Sequence, residues 1–135
     1  MSEQMQRTKG VIPYLMVRGA SDAIEFYKRA FGAEEHGRMP AEGSDKLMHA
    51  YVRINDADVF LSDEFPEYGM GLGDGPNGIT LHLAVDDADA WWTRAIEAGC
   101  TVVMPIADQF WGDRYGQLKD PFGHSWSVGS PIQQS

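Results

Sequence analysis

The spacing of apolar residues changes along the chain, and the same succession of changes occurs twice. Pro13-Tyr-Leu-Met-Val17 is a short apolar run, followed by polar Arg18-Gly-Ala-Ser-Asp22. Ala23, Ile24, Tyr27, Ala30 and Phe31 then recur at helical spacing. Leu81-His-Leu-Ala-Val85 repeats the run, Asp86-Asp-Ala-Asp-Ala90 the polar turn, and Ala88, Trp91, Trp92, Ala95 and Ile96 the helical stripe. Both helices carry start and stop signals. Asp22 with Glu25 reads as a capping box, Asp86 and Asp87 as caps of the second helix, and Gly32 and Gly99 as C-terminal stops. Further strands are expected at Leu47–Ile54, Asp58–Leu61, Thr101–Met104, Tyr115–Lys119 and Ser125–Val128.

The expected order is β-α-β-β-β twice, an α+β fold of paired modules. A tail over 1–10 precedes the first module at 11–66. A connector over 67–78, with five glycines and one proline, leads to the second module at 79–130. The connector is no phosphate loop, because it lacks the Gly-Lys-Ser/Thr ending and a following helix start. The closing Gln133-Gln-Ser135 is expected to fray. Neither module can bury a whole sheet face alone, so the helices should cover one face of the sheets while the other curls into a cup.

Strand alternation assigns side chains to those two faces. With Leu81, Leu83 and Val85 toward the helices, Thr80, His82 and Ala84 face the cup. With Val59, Leu61, Met48, Ala50, Val52 and Ile54 buried, Phe60, Ser62, His49 and Tyr51 face inward. Ile12, Tyr14 and Met16 join them. Leu118 and Trp126 belong to the core, leaving Tyr115, Gln117, Ser125 and Ser127 for the cup. The predicted lining is aromatic and polar, too polar for a sealed core and suited to a small organic ligand.

Charge narrows the partners. A net charge of −9 disfavours nucleic acid and anionic membrane surfaces. No apolar run approaches the ~18 residues of a membrane span, and Met1 to Gly10 lacks the apolar core of a signal peptide. Cys100 is the only cysteine, which excludes an intrachain disulfide. A cytoplasmic protein with a small-molecule partner is the expectation.

Val11–Val17 leading into Ala23-Ile-Glu-Phe-Tyr-Lys-Arg-Ala-Phe-Gly32 resembles the opening unit of the vicinal oxygen chelate (glyoxalase/bleomycin-resistance/dioxygenase) superfamily. Leu83-Ala-Val-Asp-Asp87, Ala98-Gly99 and Asp120-Pro-Phe-Gly-His124 resemble its second unit. Gln109-Phe-Trp-Gly-Asp-Arg114 and Lys46-Leu-Met-His-Ala50 look like its PhnB-like branch. The resemblance covers nearly the whole chain. It implies paired βαβββ modules, usually a homodimer, with functions from metal-dependent isomerases and dioxygenases to metal-free antibiotic sequestration.

Metal-using relatives place His, Gln or Glu on the first and last strands of each module. The corresponding positions here are Ile12, Phe60, Thr80 and Ser127, a poor donor set. The expectation is therefore no cofactor, with an off-pattern divalent metal at the histidines as the alternative. His49 and His82 are the candidate catalytic acid/base residues, unless each is simply hydrogen-bonded within its sheet. Tyr14, Tyr51, Phe60, Ser62, Thr80, Trp111, Arg114, Tyr115 and Gln117 are the candidate ligand-binding residues. Asp113 and Arg114 follow Phe110-Trp-Gly112, so Arg114 and Trp111 either form a binding loop for an anionic or aromatic ligand or Arg114 pins the loop, for instance onto Asp120. His124 reads as a turn residue, Cys100 as packed, and adjacent Asp63 and Glu64 as no catalytic dyad. The sequence thus points to a metal-free protein binding a small aromatic or anionic molecule, or alternatively to an isomerase, lyase or metal-dependent enzyme using His49 or His82.

Overall fold

Two four-stranded mixed sheets, each with one helix, account for both halves of the apolar pattern. The computed structural model describes residues 10–69, 71–76 and 78–132. Most of the expected N-terminal tail, the fraying C-terminus and connector residues Met70 and Asn77 lie outside the described residues. The first half runs β1 (Tyr14–Val17), α1 (Ala20–Phe31), β2 (Glu34–Pro40), β3 (Leu47–Ile54) and β4 (Ala57–Asp63), in the sheet order β1-β4-β3-β2. A 3-10 turn at Pro66–Tyr68 follows. The second half runs β5 (Thr80–Ala84), α2 (Ala88–Ala98), β6 (Thr101–Asp108), β7 (Asp113–Lys119) and β8 (Ser125–Pro131), in the order β5-β8-β7-β6. In both sheets the first strand runs parallel to the last, and the other pairings are antiparallel.

Contacts divide the chain into two units. One holds the chain up to Lys28 together with Gly32–Gly75, and the other holds Arg29–Phe31 with the chain from Pro76 onward. The first core gathers Leu15, Val17, Ala23, Ile24, Tyr27, Ala50, Val52, Val59 and Leu61, all buried. The second gathers Leu83, Val85, Ala88, Ala95, Leu118, Trp126 and Val128. Phe31 joins the second unit with its ring 4.4 Å from that of Trp126. Trp92 packs so closely on Gly116 that a Cβ there would sit 2.5 Å from its ring, which makes Gly116 a requirement of helix–sheet contact. Cys100 is buried, and burial pushes its thiol up to about 12, so the thiolate is suppressed.

Three local expectations are corrected. Strand β2 was not read from the sequence: Glu34-Glu-His-Gly-Arg-Met-Pro40 is a sheet-edge strand with no buried position, so no two-residue apolar period marks it. Helix α1 does not use Asp22 and Glu25 as a capping box. It begins at Ala20 behind Gly19, which has no side chain to cap with, and Asp22 lies inside the first turn. Buried Asp63 caps it instead: Oδ1 accepts from the backbone N–H groups of Gly19 (2.8 Å) and Ala20 (3.0 Å), and Oδ2 from Leu47 (2.8 Å). Met48 is 52% exposed rather than buried, because it precedes the Ala50–Ile54 stretch that pairs with β4. Asp87 caps α2 as expected, accepting from the Ala90 N–H, and Ser130 accepts from Ala88. Both Gly32 and Gly99 end their helices with positive φ.

Candidate functional site

The sheet face opposite Leu15, Val17, Val59 and Leu61, and its counterpart opposite Leu83 and Val128, each carry a histidine and tyrosine cluster. In the first unit the register pairs Tyr14 with Phe60 and Phe60 with Tyr51, so strand pleating puts all three on one face, along with His49. Phe60 is the hub, its ring 5.6 Å from Tyr14, 4.8 Å from His49 and 5.5 Å from Tyr51, each edge-on. Tyr14 Oη lies 2.7 Å from His49 Nδ1. Burial lowers the His49 pKa from its ordinary value and raises that of Tyr14, so both are neutral near pH 7. Tyr14 is 53% exposed.

The other candidates of this unit are less available. Tyr51 is buried and donates to Asp58 Oδ1 at 2.6 Å. Burial and the Asp58 carboxylate together hold that phenol above the usual range. Ser62 shares the Tyr14 face by parity but is 1% exposed. His36, which the sequence reading missed, lies tilted against Tyr51 with centroids 5.3 Å apart. It occupies a register irregularity between Glu35 and Gly37, and no alternation pattern marks such a position.

In the second unit His82 pairs in register with Ser127, and Ser127 with Gln117. His82 Nδ1 lies 2.7 Å from Ser127 Oγ. Its ring stacks on Tyr115 at 5.9 Å and 25°, and Trp111 meets Tyr115 edge-on at 5.6 Å. Gln117 Nε2 donates to Tyr115 Oη at 3.1 Å. Gly129 lies beneath the stack: a Cβ there would come within 2.9 Å of His82 Cε1 and 3.5 Å of Tyr115 Cδ2. No alternation pattern marks this glycine as what makes the stack possible. Thr80 is exposed at the start of β5 and has no cross-strand aromatic partner, pairing with Ser125.

Arg114 departs from the expected grouping. It alternates with Tyr115 along β7 and points to the other face, where Nε donates to Asp89 at 2.9 Å and Nη1 to Asp108 at 3.2 Å. The expected bond to Asp120 is not formed. Asp120 instead accepts from the backbone of Phe122 and His124 and from Trp126 Nε1, organising the turn in which His124 sits. Asp113 accepts from Trp111 Nε1 at 3.1 Å, so the carboxylate next to Arg114 fixes the indole.

The positions expected to hold metal in this fold carry unsuitable chemistry. Ile12 and Phe60 have no donor atom, Thr80 offers only a hydroxyl, and the hydroxyl of Ser127 is engaged with His82. Among the described residues no three His, Cys, Asp or Glu side chains converge. Such a set does not fit a divalent ion.

Concavities lie away from the ring clusters. One of about 370 Å³ is lined by Asp86, Asp87, Asp89, Asp108, Arg114 and Ser130, and one of about 670 Å³ by Lys46, Met48, Phe65 and Tyr68. The first is closed to an anion by its four aspartates, because Arg114 is already paired within it. In the second, Lys46 is already engaged by the Glu64 carbonyl and lies over the Phe65 ring, so the ring clusters, which hold the oriented histidines, are the stronger candidates.

A profile described as Glyoxalase/Bleomycin resistance protein/Dioxygenase superfamily matches residues 10–128. An uncharacterized protein of Mycobacterium bovis is 46% identical over 127 residues, which span 90% of this chain and 83% of that one. Among solved structures, protein PA1353 from Pseudomonas aeruginosa matches with TM-score 0.77 and 27% identity, over 93% of this chain and 100% of its own. A PhnB protein from Bacillus cereus matches with TM-score 0.73 over 90% and 99% of the two chains; at 16% identity this likeness is one of fold.

Proposed function

Because the chain belongs to the Glyoxalase/Bleomycin resistance protein/Dioxygenase superfamily, we propose that it binds a small aromatic molecule on the ring-bearing sheet faces, without a divalent metal. The observation that carries this reading is the pair of open-face clusters, each with a hydrogen-bonded histidine among aromatic rings. Rings edge-on to one another offer further edges and faces to a planar ligand, and a few polar atoms set its orientation. An anionic ligand loses its main support, since Arg114 is occupied by two carboxylates on the other face. Tyr14, His49 and Phe60 form the contact set of the first unit, and His82, Tyr115, Gln117 and Trp111 that of the second. Thr80 lies at the margin of the second set. Tyr51 flanks Phe60 on the same face but is buried and committed to Asp58, and Ser62, on that face by strand parity, is buried too.

A second reading, an acid/base enzyme, draws on the 2.7 Å bonds of His49 and His82, which hold each imidazole in a fixed orientation. A cytoplasmic homodimer is the accompanying proposal and plays no part in either reading. Thermal-shift screening of neutral aromatic compounds, with elemental analysis of protein purified without chelator, separates these alternatives. Binding raises the melting temperature and the protein carries no stoichiometric metal. Stoichiometric zinc, nickel, iron or manganese that disappears in His82→Ala overturns the metal-free reading.

A further inference from the structure

We infer that the open face of the first sheet is a hydrogen-bond donor site: Tyr14 offers its phenolic hydrogen to an acceptor oxygen, a carbonyl or an ether, on an aromatic ligand. His49 is the positioning residue that leaves this hydrogen free. The inference rests on the binding reading above and gives it a ligand class.

One hydrogen lies between Tyr14 Oη and His49 Nδ1, 2.7 Å apart, and it belongs to one or the other. The second ring nitrogen decides between them. His49 Nε2 is buried and has no hydrogen-bond partner among the described residues. If the neutral imidazole carried its proton on Nε2, a donor N–H would be sealed away without an acceptor, which folded proteins avoid more strictly than an unpaired acceptor. With the proton on Nδ1, the imidazole donates to Tyr14 Oη and only a lone pair is left unpaired. Burial lowers the His49 pKa, which keeps the second proton off the ring.

Tyr14 then receives a hydrogen bond from His49 and must aim its own hydrogen elsewhere. Its ring is fixed edge-on between Phe60 and His49, and its exposed side is the open face. A hydroxyl that accepts one hydrogen bond becomes a stronger donor in the next. The complementary ligand places an aromatic ring against this cluster and an acceptor oxygen at Tyr14. His49 acts through Tyr14, because its own free nitrogen is out of reach.

Two measurements test this. Long-range ¹H–¹⁵N correlation spectra of the ligand-free protein are expected to show His49 protonated on Nδ1. Protonation on Nε2, with the N–H directed at the Phe60 ring, overturns the inference. In titrations followed by NMR, acetophenone is expected to bind about three- to tenfold more tightly than ethylbenzene, which keeps the ring and two-carbon chain and has no acceptor, as one hydrogen bond predicts. Tyr14→Phe is expected to abolish that preference while keeping ethylbenzene binding, and His49→Phe to reduce it. Equal binding of both probes to the wild-type protein, or an unchanged preference in Tyr14→Phe, overturns the donor site alone. Failure of both probes to bind overturns it together with the binding reading.

Discussion

The two units hold a tyrosine and a histidine at corresponding places, with the identities exchanged. Tyr14 on β1 corresponds to His82 on β5, since Phe60 and Ser127 pair with them in the same register. His49 on β3 corresponds to Tyr115 on β7, each two residues before the partner of that pair, Tyr51 or Gln117. The residue at the hub decides what the pair does. Phe60 fills its place with a ring, so Tyr14 and His49 meet edge-on and bond to each other. Ser127 is small and polar, so His82 bonds to its hydroxyl and lies flat on Tyr115, above Gly129, where the first unit has Ser62. The same two residue types thus give a phenol donor on one face and an imidazole platform on the other.

The helix starts differ in the same way. Asp63 and Ser130 occupy corresponding strand ends and cap α1 and α2, but Asp63 accepts three backbone N–H groups whereas Ser130 accepts one beside Asp87. The largest expected effect breaks this comparison. Asp63→Ala leaves buried donors unpaired and is expected to cost about 3 kcal/mol, against about 1 kcal/mol for Ser130→Ala. Urea unfolding midpoints measure both, and equal losses would contradict the asymmetry.

Next in size is Gly129→Ala. Its methyl group collides with His82, and the expected loss is about 2 kcal/mol, typical of overpacking. Adding His82→Ala should restore most of it in the same unfolding assay. Persistence of the whole loss in the double variant would show that the stack is not what Gly129 accommodates.

The smallest effect concerns pH. His49 has its folded pKa below its unfolded one because burial disfavours the imidazolium. The unfolded chain therefore takes up the proton first, and the stability contributed by neutral His49 is full above the ordinary histidine range and lost as pH falls through the folded value. Melting temperatures at pH 7.5 and 5.0 should fall further for the wild type than for His49→Phe. An identical fall in both would remove burial of His49 as a source of acid sensitivity.

Much of the fold was legible because the core obeys simple periods. Leu83, Val85, Leu118 and Trp126 sit where alternation placed them, and Gly32 and Gly99 end the helices. Edge strand β2 was not, because an element without a buried face leaves no apolar period. The site was legible as a face but not as a set of bonds. Alternation brought Tyr14, His49 and Phe60 together, yet could not reveal that Tyr51 is committed to Asp58, or that Arg114 turns toward Asp89 and Asp108. Charged side chains reach across several positions and choose partners by tertiary proximity, which one strand's pattern does not encode. Gly129 escaped notice because its importance is the absence of an atom beneath two rings.

The central claim is that the ring-bearing faces, rather than the concavities, receive the ligand. A ¹H–¹⁵N spectrum of labelled protein titrated with acetophenone tests it most directly. Saturable shifts centred on Tyr14, His49 and Phe60, or on His82 and Tyr115, are expected. Shifts centred on Met48, Phe65 and Tyr68 would contradict it.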